Sequence, residues 1–211
     1  MRFLKKYSVY IINVILVSSL FIMFCYLSKT YPFTTKPFGM SDGLGQFKPM
    51  IYEFFTKMKM GMLGTYSFNN GLGNPTIFNY LYYVSSPINF IALLFNSPNL
   101  MYFTILLIKL IITSINTTIY AKSKTDNKVA IILASLSYCF CGWFLIYYYY
   151  LSFVDIFMMF PLFQYGLETS LTKSIIKSIL FSLWILVTTD IFLFFKTFAL
   201  TFDFILTGLY I

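Results

Sequence analysis

A succession of long apolar runs limits the folds open to this chain more than any other feature. Residues 7–27 form a run of ~21 mostly apolar residues, and at ~1.5 Å per residue a helix of that length crosses a hydrocarbon core of ~30 Å. Residues 100–120 and 129–151 form two more. Residues 153–168 are short for a crossing, but Lys173 and Lys177 follow at once, so a tilted span is the economical reading. Residues 179–211 hold one span and part of another, interrupted by Asp190, Lys196 and Asp203. Hydrophobic residues make up 59% of the chain against 10% charged, a balance that no soluble domain could carry on its surface. The expected fold class is all-α: a polytopic helical membrane protein.

Charge placement orients the helices. Arg2, Lys5 and Lys6 precede the first span, which puts the amino terminus in the cytoplasm, and Lys122, Lys124 and Lys128 mark a second cytoplasmic turn. The first run exceeds a signal-peptide core of ~7–15 residues, and no small-residue cleavage site follows Cys25-Tyr26-Leu27, so it reads as an uncleaved anchor. Residues 28–80 then form a long external loop. Its lysines, Lys29, Lys36, Lys48, Lys57 and Lys59, run against the positive-inside rule, although the last three lie far from span ends, where the rule weakens. Residues 81–95 would make only ~22 Å of helix and are broken by Ser85-Ser86-Pro87, which reads as a re-entrant or interfacial piece. The net charge of +8 sits in short clusters beside apolar segments, as contacts with anionic lipid do, and does not point to nucleic acid. Cys25, Cys139 and Cys141 lie in apolar runs of a chain without histidine, which excludes a Cys/His metal site.

The external loop carries most of the chemistry. Asp42, in Ser41-Asp42-Gly43-Leu44-Gly45-Gln46, is a carboxylate at the mouth of a helical membrane domain, where it can act as a base. Beyond it Phe47, Ile51, Phe54, Phe55, Met58 and Met62 recur at helical spacing with polar residues opposite, the pattern of an amphipathic helix lying in the membrane interface. Glu53 and Lys57 on its polar face are spaced for a weak i,i+4 pair and read as a solvated surface. Asn69, Asn70 and Asn74, set among glycines, offer amides to sugar hydroxyls, although Asn-Gly and Asn-Pro are also ordinary turn signals.

The order of several motifs resembles the amino-terminal region of the YfhO family of bacterial membrane proteins. These are Asp42-Gly43-Leu44-Gly45-Gln46-Phe47-Lys48-Pro49, then Tyr66-Ser67-Phe68-Asn69-Asn70-Gly71-Leu72-Gly73, then Tyr82-Tyr83-Val84-Ser85-Ser86-Pro87-Ile88-Asn89. Ser137-Tyr138-Cys139-Phe140-Cys141-Gly142 and the stretch from Asp155 through Phe160-Pro161-Leu162 to Glu168 continue the likeness. The resemblance implies a GT-C type glycosyltransferase that takes a sugar from a polyprenyl-phosphate carrier, with an envelope polymer such as lipoteichoic acid as acceptor. It further implies that Asp42 is the essential acidic residue of the first external loop, and that Gln46, Asn69, Asn70 and Tyr83 contact substrate. Family members are several times longer, so the chain reads as part of a longer protein, completed by a carboxy-terminal part or by partner subunits.

Two intramembrane charges carry open alternatives. Asp155 follows Tyr147-Tyr148-Tyr149-Tyr150 and is either a second catalytic carboxylate facing Asp42 or the N-cap of the next span, and the tyrosines read as an interfacial belt. Lys109, near the middle of its span, calls for a partner, either a lipid phosphate in a substrate-binding role or a carboxylate such as Asp155. A divalent cation is compatible with a single external carboxylate but not required by it. An inactive remnant or a non-catalytic partner subunit is the alternative function. A transporter is disfavoured, because the chain shows no internal repeat.

Overall fold

The computed structural model describes residues 2–68 and 73–172. Asn69, Asn70 and the run 179–211, with Asp190, Lys196 and Asp203, lie outside the described residues. Within them the chain is helical apart from one short hairpin, β1 (Tyr66–Ser67) paired antiparallel with β2 (Asn74–Pro75). The helices are α1 (Arg2–Leu27), α2 (Lys48–Lys59), α3 (Thr76–Asn79), α4 (Pro98–Lys124), α5 (Lys128–Cys139), α6 (Gly142–Tyr147) and α7 (Leu151–Thr172). A π-helical turn, Gly43–Phe47, leads into α2, a second, Tyr80–Val84, follows α3, and a 3₁₀ helix spans Pro87–Leu94.

Among the described residues three stretches are long and apolar enough to cross a membrane: Tyr7–Leu27, Pro98–Lys124 and Lys128–Tyr147, the last comprising α5 and α6. Thr76–Val84 and Pro87–Leu94 form a bent pair with an angle of 104° between them. The bend falls at Ser86, whose extended backbone (φ −66°, ψ 129°) is the conformation forced on a residue before proline. Ile11, Ile15, Phe24, Val129, Leu133 and Ile146 point outward, an apolar exterior that suits lipid.

α4 is the hub and packs against α1, α2, α5, α7 and the 3₁₀ helix. It buries polar residues as well as apolar ones: Lys109, Thr113, Ser114, Asn116, Thr117 and Thr118 are all enclosed. In hydrocarbon a polar side chain needs a partner, and these find theirs locally or on the neighbouring helices. The hydroxyls of Thr113, Thr117 and Thr118 donate to the carbonyls of Lys109, Thr113 and Ser114 at 2.7–2.8 Å. Asn13 Nδ2 donates to Thr118 Oγ1 at 2.7 Å and ties α1 to α4. Ser114 and Ser135 hydroxyls meet at 3.2 Å and tie α5. Asn116 Nδ2 donates to the Met158 carbonyl at 2.8 Å and ties α7.

α2 is amphipathic with the expected face, but protein rather than lipid covers most of it. Phe47, Ile51, Phe54 and Phe55 are buried, with Phe55 against Phe90 and Phe54 against Tyr80 at ring distances of 5.3 and 5.6 Å, while Met58 and Met62 stay exposed. Its polar face is likewise more than a solvated surface. Lys57 Nζ contacts Glu53 Oε1 at 2.6 Å and donates to Ser67 Oγ at 2.7 Å, and Ser67 donates to the same Glu53 oxygen at 2.6 Å, which pins the hairpin to α2. Gly73 (φ +105°) closes that hairpin over the Tyr66 ring, where a Cβ would lie 2.3 Å from ring carbon.

Pro161 lies inside α7, where it removes the N–H that would bond the Phe157 carbonyl four residues earlier. Tyr138 on α5 supplies the missing donor: its hydroxyl reaches the Phe157 oxygen at 2.9 Å, and the two rings stack at 4.4 Å. A neighbouring helix thus satisfies the group that the proline freed. Tyr138→Phe is expected to cost about 1 kcal/mol of stability in detergent. The cost should shrink in a Pro161→Ala background, where α7 regains its own donor, and a double-mutant cycle of thermal unfolding checks this coupling.

Candidate functional site

Asp42 stands just before the Gly43–Phe47 turn, after a loop bent by positive φ at Gly39 (+115°) and Ser41 (+47°). It could cap the helix it precedes, but its side chain makes no capping bond and reaches across to another element. Tyr150, in the turn between α6 and α7, donates its hydroxyl to Asp42 Oδ2 at 2.7 Å. Gln46 Nε2 approaches Oδ1 at 3.4 Å, and Tyr83 donates to Gln46 Oε1 at 2.9 Å. Tyr150, Asp42, Gln46 and Tyr83 therefore form one chain of polar contacts. The ring of Phe47 packs against both end tyrosines, 5.0 Å from that of Tyr83 and 5.7 Å from that of Tyr150. The carboxylate beside Tyr150, followed by partial burial, pushes its phenol well above the ordinary tyrosine range, so at neutral pH it remains a donor.

The close approach depends on Gly43. A Cβ there would lie 2.6 Å from Tyr149 Cβ and 2.8 Å from the hydroxyl of Tyr102, which is buried and donates to the Tyr149 carbonyl at 2.8 Å. Gly45, two positions on, faces open space.

A second cluster lies deeper. Lys109 Nζ, fully enclosed, contacts Asp155 Oδ1 at 2.9 Å and donates to the Leu151 carbonyl at 2.9 Å; Ser86 Oγ donates to the same Asp155 oxygen at 2.9 Å. Of the two partners open to Lys109, the structure places the carboxylate beside it, and the side chain is fully buried. Asp155 falls in the second turn of α7, which begins at Leu151, so it is not an N-cap. Its partners include Lys109 and Ser86, whereas those of Asp42 include Tyr150 and Gln46.

Of the expected site residues, then, Asp42, Gln46 and Tyr83 come together, Lys109 and Asp155 pair in a separate cluster, and Asn69 and Asn70 lie outside the described residues. Among the described residues no three of His, Cys, Asp and Glu converge as a metal site would require. Tyr150 was hidden in a run of tyrosines that read as an aromatic belt. Its partner is 108 residues away, and no local pattern signals such a contact.

A separate apolar groove of about 610 Å³ lies between α1, α5 and α6. Leu20 and Phe24 of α1, Leu136 of α5 and Leu145 of α6 line its body; Met40 and Tyr148, near neighbours in sequence of Asp42 and Tyr150, line it too.

The profile of the family described as bacterial membrane protein YfhO matches residues 13–194. The chain belongs to the YfhO family. The match takes in the Asp42 turn, the bent pair, the α4 hub and α7, so both clusters lie within the part of this YfhO protein that the family shares. No curated protein and no solved structure matches the chain.

Gly43→Ala should lower the thermal unfolding midpoint by the equivalent of about 1–3 kcal/mol, the usual range for overpacking. Gly45→Ala should leave it unchanged; equal effects of the two would show that the fit of Gly43 against Tyr149 is not what holds the turn.

Proposed function

We propose that this member of the YfhO family acts as a GT-C type membrane glycosyltransferase, moving a sugar from a polyprenyl-phosphate carrier to a cell-envelope acceptor such as lipoteichoic acid. The observation that carries the reading is the half-buried Asp42 carboxylate held by Tyr150 and Gln46, supported by an apolar groove whose lining includes Met40 and Tyr148, two residues in sequence from Asp42 and Tyr150 respectively. A lipid-linked donor has those two needs: a dry channel for its chain and a polar site for its head group.

In this mechanism Asp42 is the general base. It takes the proton from an acceptor hydroxyl as that oxygen attacks the anomeric carbon; the bond from that carbon to the carrier's phosphate oxygen breaks, and the lipid phosphate leaves with the electron pair. A carboxylate has about four acceptor positions, so the bonds from Tyr150 and Gln46 orient it and still leave room for a substrate hydroxyl. Gln46 and Tyr83 extend the polar surface on which sugar hydroxyls would rest. The lysine pattern supports a cytoplasmic amino terminus and an Asp42 loop on the outer face.

The test is transfer of labelled sugar from a polyprenyl-phosphate donor by membranes containing the full chain. Asp42→Asn should reduce transfer by at least about 10²-fold, the scale of general-base catalysis, with membrane insertion unchanged. Full activity in that variant removes Asp42 from the mechanism. A well-folded wild-type protein that transfers nothing favours a non-catalytic partner role. Leu145→Trp, which fills the groove, should raise KM for a long-chain donor by about tenfold and leave a short-chain donor unaffected.

A further inference from the structure

The two clusters join into a ring. From Lys109 the contacts run in one direction to the carbonyl of Leu151, the residue bonded to Tyr150, and Tyr150 donates to Asp42. In the other direction they run to Asp155 and on to Ser86, which begins the turn after Tyr83. Asn89 stiffens that turn, donating from Nδ2 to the Tyr83 carbonyl at 3.0 Å while its backbone N–H bonds the Ser86 carbonyl at 3.0 Å. Tyr83 then holds Gln46, and Gln46 meets Asp42. Each phenol in the Asp42 chain is therefore anchored, through a short piece of backbone, to a group that touches the buried ammonium or its carboxylate.

We infer that Lys109 is the positioning residue of the Asp42 site: it sets the distance between the Tyr150 turn and the Tyr83 turn, and so the place of the carboxylate, without touching substrate. The inference rests on the reading of Asp42 as the reacting group. Stability alone does not account for the pair. An ammonium in a span is costly, and apolar replacement of a whole buried ion pair is often neutral or stabilising. What an apolar pair could not do is bind a main-chain carbonyl of α7 and a serine of the bent segment at one point. Lys109 does this through Leu151 directly and through Asp155 to Ser86.

The test uses the full chain in detergent with 3-fluorotyrosine placed at position 150 or 83 and read by fluorine NMR. Asp42→Asn defines the resonance change when the carboxylate is lost. The double variant Lys109→Met with Asp155→Leu removes both charges and leaves neither unpaired. It is expected to move both resonances from their wild-type positions and to lower kcat for sugar transfer by about 10-fold to 100-fold, with KM for the polyprenyl-phosphate donor within about twofold, as a misplaced catalytic group does. A folded double variant with both resonances at their wild-type positions overturns the proposal. So does a raised KM at unchanged kcat, which would make Lys109 a donor contact. If the double variant does not fold, Ser86→Ala cuts one link only and should move the Tyr83 resonance; an unmoved resonance there overturns the proposal. Resonances that move in a chain whose wild type transfers no sugar uphold the positioning role and sink the transferase reading, so the two fail separately.

Discussion

Inside hydrocarbon a polar group has no water to fall back on, and the architecture around α4 follows from that. A purely apolar α4 could rotate or slide against its neighbours with little penalty, because lipid tails are as apolar as the helix faces they would replace. The stripe of Lys109, Thr113, Ser114, Asn116, Thr117 and Thr118 removes that freedom. Part of it is satisfied by α4's own backbone, and the remainder fastens α1 through Asn13, α5 through Ser135, and α7 through the carbonyls of Leu151 and Met158. The same rule explains why Pro161 is tolerated in α7: Tyr138 is in place to bond the carbonyl it leaves open.

Aromatic packing holds the Asp42 end of the bundle together, alongside the turns that the Lys109 pair anchors. Phe47 is buried among Tyr82, Tyr83 and Tyr150, so the π-helical turn that begins beside Asp42 is locked to both the bent segment and the α6–α7 turn. Gly43 allows the backbone close enough for the Asp42–Tyr150 bond to form. Positive φ at Ser41 belongs to the same arrangement, a left-handed residue that a serine adopts only when its surroundings insist.

Membership of the YfhO family supplies the class of protein. Met40 and Tyr148, which line the apolar groove, are two residues in sequence from Asp42 and Tyr150 respectively, which bond to each other. The buried Lys109 pair lies outside that groove and bears on the Asp42 contacts only through the turns it anchors.

Much of this was legible in the sequence because it is local. Apolar runs, the break at Ser85-Ser86-Pro87 and the 3.6-residue rhythm of α2 depend only on neighbouring residues, so the all-α membrane class could be read directly, whereas the interruption of the 129–151 run between α5 and α6 could not. Asp42, Gln46 and Tyr83 stood out through the motifs that carry them. Tertiary structure alone decided what each face and charge meets. Periodicity says that one side of α2 is apolar, but only packing shows that Phe54 and Phe55 face Tyr80 and Phe90 rather than lipid. A lysine in a span needs a partner on energetic grounds, but only the crossing of α4 with α7 makes that partner Asp155. Tyr150 meets Asp42 because two turns 108 residues apart are brought together by the helices between them, a distance over which no pattern in the chain carries information.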